Sequence, residues 1–107
     1  MRERRSLIQR GPADLVLALA LVHHLAIGNN VPLEGIAALF AKLGRQAIVE
    51  FVPKDDPMTQ HLLAARKDVF PDYTLDGFRV AFARHFTIID EAPIADSART
   101  IFLLEST

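Results

Sequence analysis

The sequence predicts an α/β fold built on a mostly parallel four-stranded sheet that ends in a C-terminal antiparallel hairpin. Short apolar runs alternate along the chain with amphipathic segments of helical period, which is the pattern of a sheet covered by helices. The last two strand-like runs, residues 85–91 and 99–105, are too close for a helical crossover, so we expect them to pair antiparallel. The expected strand order is first, second, fourth, third.

The first predicted strand covers residues 14–22, which are apolar apart from Asp14. The run lacks alternation, which is typical of a strand covered on both faces, although periodicity alone also permits a buried helix. A turn over residues 28–30 follows. Pro32 is then expected at the first position of a helix, in which apolar residues recur with a 3.6-residue period until Gly44 ends it.

A second buried strand is predicted over residues 46–52, before a proline stops it. Asp56 is followed by another proline, a combination typical of a helix N-cap and first residue, and it predicts a helix that runs to about residue 68. Thr74 is expected to cap a further helix over residues 75–82. The order of elements is therefore strand, helix, strand, two helices and a hairpin.

The composition indicates one small folded domain. The chain has 107 residues, half of them apolar, and a formal net charge of −1. This balance argues against a nucleic-acid partner. The absence of cysteine excludes disulfides, thiolate metal sites and cysteine catalysis. The most apolar run, residues 13–27, is too short and too polar to span a bilayer, so we expect a cytoplasmic protein without a membrane segment.

The order of several segments carries a family resemblance. Residues 14–25 read as an apolar strand opened by an aspartate and followed by His-His-Leu. Residues 48–54 read as a second strand, and residues 86–89 and 101–104 as a final pair. Together they resemble the fourth to seventh strands of class I S-adenosylmethionine-dependent methyltransferases. The amino-acid sequence, including Phe-Pro-Asp-Tyr-Thr at residues 70–74, most resembles that of bacterial methyltransferases described as nodulation-related. The resemblance implies a truncated Rossmann-like methyltransferase sandwich.

The resemblance leaves out the part of the family that holds the cofactor. The resemblance implies two parts of the chain: a basic N-terminal segment, residues 1–12, and the C-terminal half of a methyltransferase-like domain, residues 13–107. In the family, a Gly-x-Gly-x-Gly turn after the first strand and an acidic residue after the second hold S-adenosylmethionine. The five glycines here are scattered. We therefore expect part of a split or longer enzyme that does not bind the cofactor alone. The alternative is a non-enzymatic remnant that acts as an interaction or oligomerisation module.

The candidate cofactor residues follow the first strand. The resemblance implies that Leu19, Ala20, His23 and His24 form a wall of the cofactor cleft, and it assigns no residue to catalysis. Adjacent histidines point in different directions, and no carboxylate or further histidine lies at ligand spacing. We therefore expect no metal site.

The candidate substrate residues are Glu50, Lys54 and Tyr73. A carboxylate in an apolar strand needs a partner, so Glu50 either reaches solvent, pairs with Lys54, or faces the substrate. Lys54 either belongs to a solvated loop or contacts substrate. Tyr73 either covers the core or grips substrate.

The first strand also predicts a partner. In the family, its free side pairs with the strand that carries the glycine turn, and without that strand it becomes an open edge. Such an edge invites pairing with another chain. We expect residues 14–22 to be covered by a second copy in a homodimer or by a complementary N-terminal methyltransferase half, unless residues 1–10 cover them.

Overall fold

The computed structural model describes residues 13–64 and 70–107, so the predicted basic segment, residues 1–12, lies outside it. The described residues form the strands β1 (Ala13–Ala18), β2 (Gly44–Phe51), β3 (Phe86–Pro93) and β4 (Thr100–Ser106). They also form the helices α1 (Leu33–Leu43), α2 (Pro57–Ala64) and α3 (Leu75–Ala83). A π-helical turn, His24–Gly28, lies between β1 and α1. In the described part of the chain, no helix is long and apolar enough to cross a membrane.

One sheet joins the four strands in the order β1-β2-β4-β3, as predicted. The predicted mostly parallel, Rossmann-like pairing is wrong. β1 and β2 pair in parallel, whereas β4 pairs antiparallel with both β2 and β3. Because β4 runs antiparallel to β2 as well as to β3, two of the three strand pairings are antiparallel. The fold is therefore α/β with a mixed sheet that contains one parallel pair.

The first strand is shorter than predicted. β1 ends at Ala18, and the chain bends at Ala20, whose φ of 52° lies in the left-handed region. This conformation costs a non-glycine residue roughly 1–2 kcal/mol and ends the ladder. His23, with φ of −64° and ψ of −33°, already has helical dihedrals. The run remains apolar through the bend, which is why its pattern predicted one strand to residue 22.

The predicted helix caps are confirmed. Asp56 Oδ1 accepts a hydrogen bond from the Met58 N–H at 2.9 Å, and Thr74 Oγ1 accepts one from the Gly77 N–H at 3.0 Å. Pro32 lies one position earlier than predicted, at the N-cap of α1. The predicted end of α2, near residue 68, lies outside the described residues.

Gly44 permits a direct change from α1 into β2. A Cβ atom at this position would lie 2.6 Å from Val16 Cγ2 and 3.3 Å from the Val16 backbone nitrogen. Only a residue without a side chain allows the two parallel strands to approach this closely at the start of β2. Gly44 therefore ends the helix as predicted and also fits the strand pairing.

The core lies between one face of the sheet and the helices α1 and α3. Side chains alternate across a strand, so every second residue of β2 points into this layer. The buried residues of β2 on this face are Ala47, Val49 and Phe51. Phe78 of α3 joins the layers, because its ring centroid lies 5.4 Å from that of Phe51 on β2 and 4.6 Å from that of Phe102 on β4. These contacts fix the strand ends against the helices.

The outward residues of β1 remain accessible to solvent. Leu15 is 47% exposed and Leu17 is 62% exposed, whereas Ala18 is buried. In the register of the sheet, Leu17 lies beside Ile48 of β2, and Ile48 lies beside Leu103 of β4. An apolar row thus crosses the sheet on the face opposite the core.

Candidate functional site

The candidate site lies at the C-terminal ends of the parallel strands β1 and β2. Ligands of α/β sheets bind outside the carboxyl ends of parallel strands, because the loops that follow neighbouring strands meet there. Residues 19–24 follow β1, and residues 50–56 form the end of β2 and the loop after it. Most of the candidate residues predicted from the sequence lie in these two segments.

Arg99 is the centre of a charged cluster at this edge. Its Nε donates to Asp56 Oδ2 at 2.9 Å, and its Nη2 donates to Asp56 Oδ1 at 3.2 Å. Its Nη1 lies 3.6 Å from Glu50 Oε1. The side chains of Glu50 and Asp56 are only 11% and 10% exposed. The planar guanidinium matches a carboxylate in this two-point geometry, which offsets the cost of taking both charges out of water.

Glu50 has a second partner across the sheet. Its Oε1 accepts the backbone N–H of Ala20 at 2.6 Å. The carboxylate therefore joins the end of β2 to the bend after β1. Of the structural roles expected for Glu50, reaching solvent does not fit its burial, and the cation that the structure pairs with it is Arg99.

The pKa values of the cluster favour its charged state. The hydrogen bonds from Arg99 lower the pKa of Asp56 more than desolvation raises it, and the Met58 N–H adds to the lowering. The same hydrogen bonds raise the pKa of Arg99. Both groups thus keep their charges at neutral pH, which the network requires.

His23 is completely buried, and neither ring nitrogen has a hydrogen-bond partner in the described part of the chain. Burial lowers the pKa of His23, and the charges of His24 and Arg99 lower it further, against Asp56 and Glu50. The ring is therefore neutral and packs as an apolar group. Over residues 13–64 and 70–107, no three histidine or acidic side chains are grouped as metal ligands.

The four candidate cofactor residues differ in accessibility. Leu19 is 51% exposed, and His24 is also exposed. Ala20 is half-buried with its N–H bound to Glu50, and His23 is inside the core. Leu19 and His24 are thus the two whose side chains a ligand can reach from solvent.

Lys54 and Tyr73 line one cavity of about 330 Å³ beside the end of β2, together with Phe51 and Thr74. Tyr73 is 3% exposed, and its hydroxyl donates to the Val52 carbonyl. Burial raises the pKa of Tyr73. Its ring thus forms part of the cavity wall while its proton is used within the protein. Glu50 belongs to the Arg99 cluster and not to the lining of this cavity.

Arg99 and the second role of Asp56 were missed by sequence reasoning. The sequence predicts Asp56 as a helix cap, with substrate contact as the alternative, yet Asp56 also binds a guanidinium 43 residues further along the chain. The sequence predicts Arg99 as the first residue of the last strand, residues 99–105. The sequence signal for this contact is indirect. Two acidic residues near buried segments require a basic partner, but no spacing rule indicates which basic residue it is.

The comparisons with known proteins give a relative but no family model. The chain is 40% identical over 104 residues to the nodulation protein NoeA of Rhizobium meliloti (strain 1021). The match covers 97% of this chain and 22% of that protein, so the chain spans about a fifth of the relative's length. No family model matches the chain. No solved structure matches it. The predicted likeness to a nodulation-related protein is confirmed, and the methyltransferase class stays a prediction.

The burial of His23 predicts a pH-dependent stability that His23→Phe removes. The unfolded chain takes up a proton on this imidazole near the ordinary value of 6.5, whereas the buried ring resists it. The folded state therefore loses stability as the pH falls below 6.5, by at most about 1.4 kcal/mol per pH unit. Urea denaturation should show the unfolding free energy of His23→Phe rising relative to wild type between pH 8 and pH 5.5.

The matched control is His61→Phe, at an exposed position of α2. It replaces the same residue type without changing the core. A difference between His23→Phe and wild type that stays constant over this pH range would contradict a buried, neutral imidazole.

Proposed function

We propose that this chain is one section of a longer or split nodulation-related methyltransferase, in which it forms a wall of the S-adenosylmethionine cleft. Its similarity to about a fifth of a nodulation protein supports membership of a larger assembly. The observation that carries the proposal is that the candidate cofactor residues and the candidate substrate residues lie at one edge of the sheet. The bend after β1 and the cavity after β2 both follow the C-terminal ends of these paired strands, the side of the sheet on which a cofactor and its methyl acceptor would bind.

The described residues fit one wall of such a cleft. Leu19 and His24 offer exposed side chains after β1, next to which the cofactor would lie. Both carboxylate oxygens of Asp56 already accept hydrogen bonds from Arg99, so this side chain would not be the one that holds the ribose hydroxyls. The remaining contacts would come from another section, with the glycine-rich turn that the family uses.

In methyl transfer, the role of this section would be to hold and orient the methyl acceptor. S-adenosylmethionine, when bound, supplies the methyl group, and the protein has to orient the acceptor in line with it. The cavity lined by Lys54 and Tyr73 would hold the acceptor beside the end of β2. Its partly apolar wall, formed by Phe51 and Leu75, would exclude water from one side.

The isolated chain should not bind S-adenosylmethionine at micromolar concentration, because it provides one wall only. Isothermal titration calorimetry measures this directly, since a 1 μM complex corresponds to about −8 kcal/mol. The full-length nodulation protein NoeA serves as the positive control and should bind. Micromolar binding by the isolated chain would contradict the one-wall assignment. Absence of binding by the full-length relative would contradict the methyltransferase proposal.

A second candidate function is that of an interaction or oligomerisation module, which the exposed leucines of β1 favour. Strands that remain at a sheet edge in solution are usually protected by lysine, proline or a bulge. β1, Ala-Asp-Leu-Val-Leu-Ala, has none of these. In an antiparallel two-fold pairing centred on Val16, Leu15 would face Leu17 of the second copy. The two Asp14 carboxylates would then lie roughly four residues apart, or ~13 Å, which limits their repulsion.

In this second function, Leu17→Lys should dissociate a dimer. Light scattering on the wild type should then give twice the chain mass of 11.9 kDa, and Leu17→Lys should give the single mass because a charge enters the interface. Val80→Lys is the matched control, since Val80 on α3 is 61% exposed and Leu17 is 62% exposed. It should leave the dimer intact. A wild-type monomer at high concentration would remove the dimer from consideration.

A further inference from the structure

We infer that Glu50 is a positioning residue whose carboxylate holds the bend after β1 in its left-handed conformation at Ala20. Through this bend it sets the direction of the cofactor wall, a consequence that rests on the proposed function. The hydrogen bond and the bend themselves do not rest on it. Glu50 thereby acts on the site through the backbone and not by touching a ligand.

Ala20 needs an external partner to keep its conformation. Three non-glycine residues of the described chain have positive φ: Ala20 at 52°, Asn30 at 56° and Asp96 at 59°. Asparagine and aspartate adopt this region with local hydrogen bonds from their own side chains. Alanine has no such group. The conformation at Ala20 must therefore be held by something outside its own residue.

Glu50 supplies this partner. The 2.6 Å bond from the Ala20 N–H to Oε1 has an ionised acceptor, which makes it stronger than a bond to a neutral group. The carboxylate is 11% exposed, so water competes weakly for it. Arg99 lies 3.6 Å from the same oxygen, and its two hydrogen bonds to Asp56 fix the guanidinium. The position of the Ala20 backbone is thus tied to the N-cap of α2.

The bend lies between an exposed and a buried residue of the wall. Leu19, before it, is 51% exposed, and His23, after it, is completely buried. Directly after Ala20, the Leu21 carbonyl accepts the N–H groups of His24 and Leu25 at 3.0 and 3.2 Å, which begins the helical turn. A change at Ala20 would therefore alter the direction of Leu19 and of the turn that carries His24.

The test compares Glu50→Ala in two backgrounds, wild type and Ala20→Gly. Glycine adopts positive φ without strain, so the bend no longer requires the carboxylate. We expect Glu50→Ala to speed amide hydrogen exchange at residue 20 by about tenfold or more when residue 20 is alanine. Glu50→Ala should also lower the free energy of unfolding. This loss should be clearly smaller when residue 20 is glycine than when it is alanine. Glu50→Gln keeps an acceptor oxygen and should retain most of the protection.

Glu105→Ala is the control variant. Glu105 lies on β4, opposite Gln46 of β2, and is exposed, so its loss should leave exchange at residue 20 unchanged. Equal destabilisation by Glu50→Ala in the alanine and glycine backgrounds would overturn the inference, since Glu50 would then act through Arg99 alone. If Glu50→Ala folds with glycine at residue 20 but not with alanine, the inference is supported, whereas failure to fold in both backgrounds would overturn it. Exchange is measured without cofactor, so the result is independent of any failure to bind S-adenosylmethionine.

Discussion

The buried pairing of Arg99 with Asp56 and Glu50 is the interaction on which the functional edge depends. It joins the start of β4, the N-cap of α2 and the end of β2, and through Glu50 it reaches the bend after β1. None of these charges is tolerable inside the protein without the others, because an unpaired buried charge costs several kcal/mol. The four segments are therefore fixed together, although they are far apart in the sequence.

The two strands at the edge organised by this cluster differ in how they are packed. The aromatic core and the hairpin support β2 and β4. Among residues 13–64 and 70–107, β1 pairs only with β2, and it exposes Leu15 and Leu17. A section of a larger protein would show this asymmetry, and so would a module that pairs with its own copy. The similarity to a fifth of a longer nodulation protein favours the first interpretation.

The features of the fold that depend on neighbouring residues were predicted from the sequence, and those that depend on distant residues were not. The caps at Asp56 and Thr74 and the C-terminal hairpin were predicted because each depends on a few adjacent residues. The predicted dominance of parallel pairing was wrong because β4, whose position was predicted correctly, runs antiparallel to β2 as well as to β3. The bend at Ala20 could not be predicted, since alanine carries no turn signal and the apolar run continues past it. The sequence marked Glu50 as needing a partner, but a contact between Arg99 and residues 43 and 49 positions earlier leaves no local pattern.

A double-mutant cycle between Asp56→Asn and Arg99→Gln tests most directly whether this cluster holds the edge. Urea unfolding of the four proteins gives the coupling energy, and a buried, charge-assisted pair should give about 1.5–3 kcal/mol. The chain contains its own reference in Arg84 and Glu34, a pair 2.9 Å apart whose side chains are 64% and 52% exposed. The coupling of that pair should be below about 1 kcal/mol. A coupling between Asp56 and Arg99 no larger than that of the exposed pair would contradict the account.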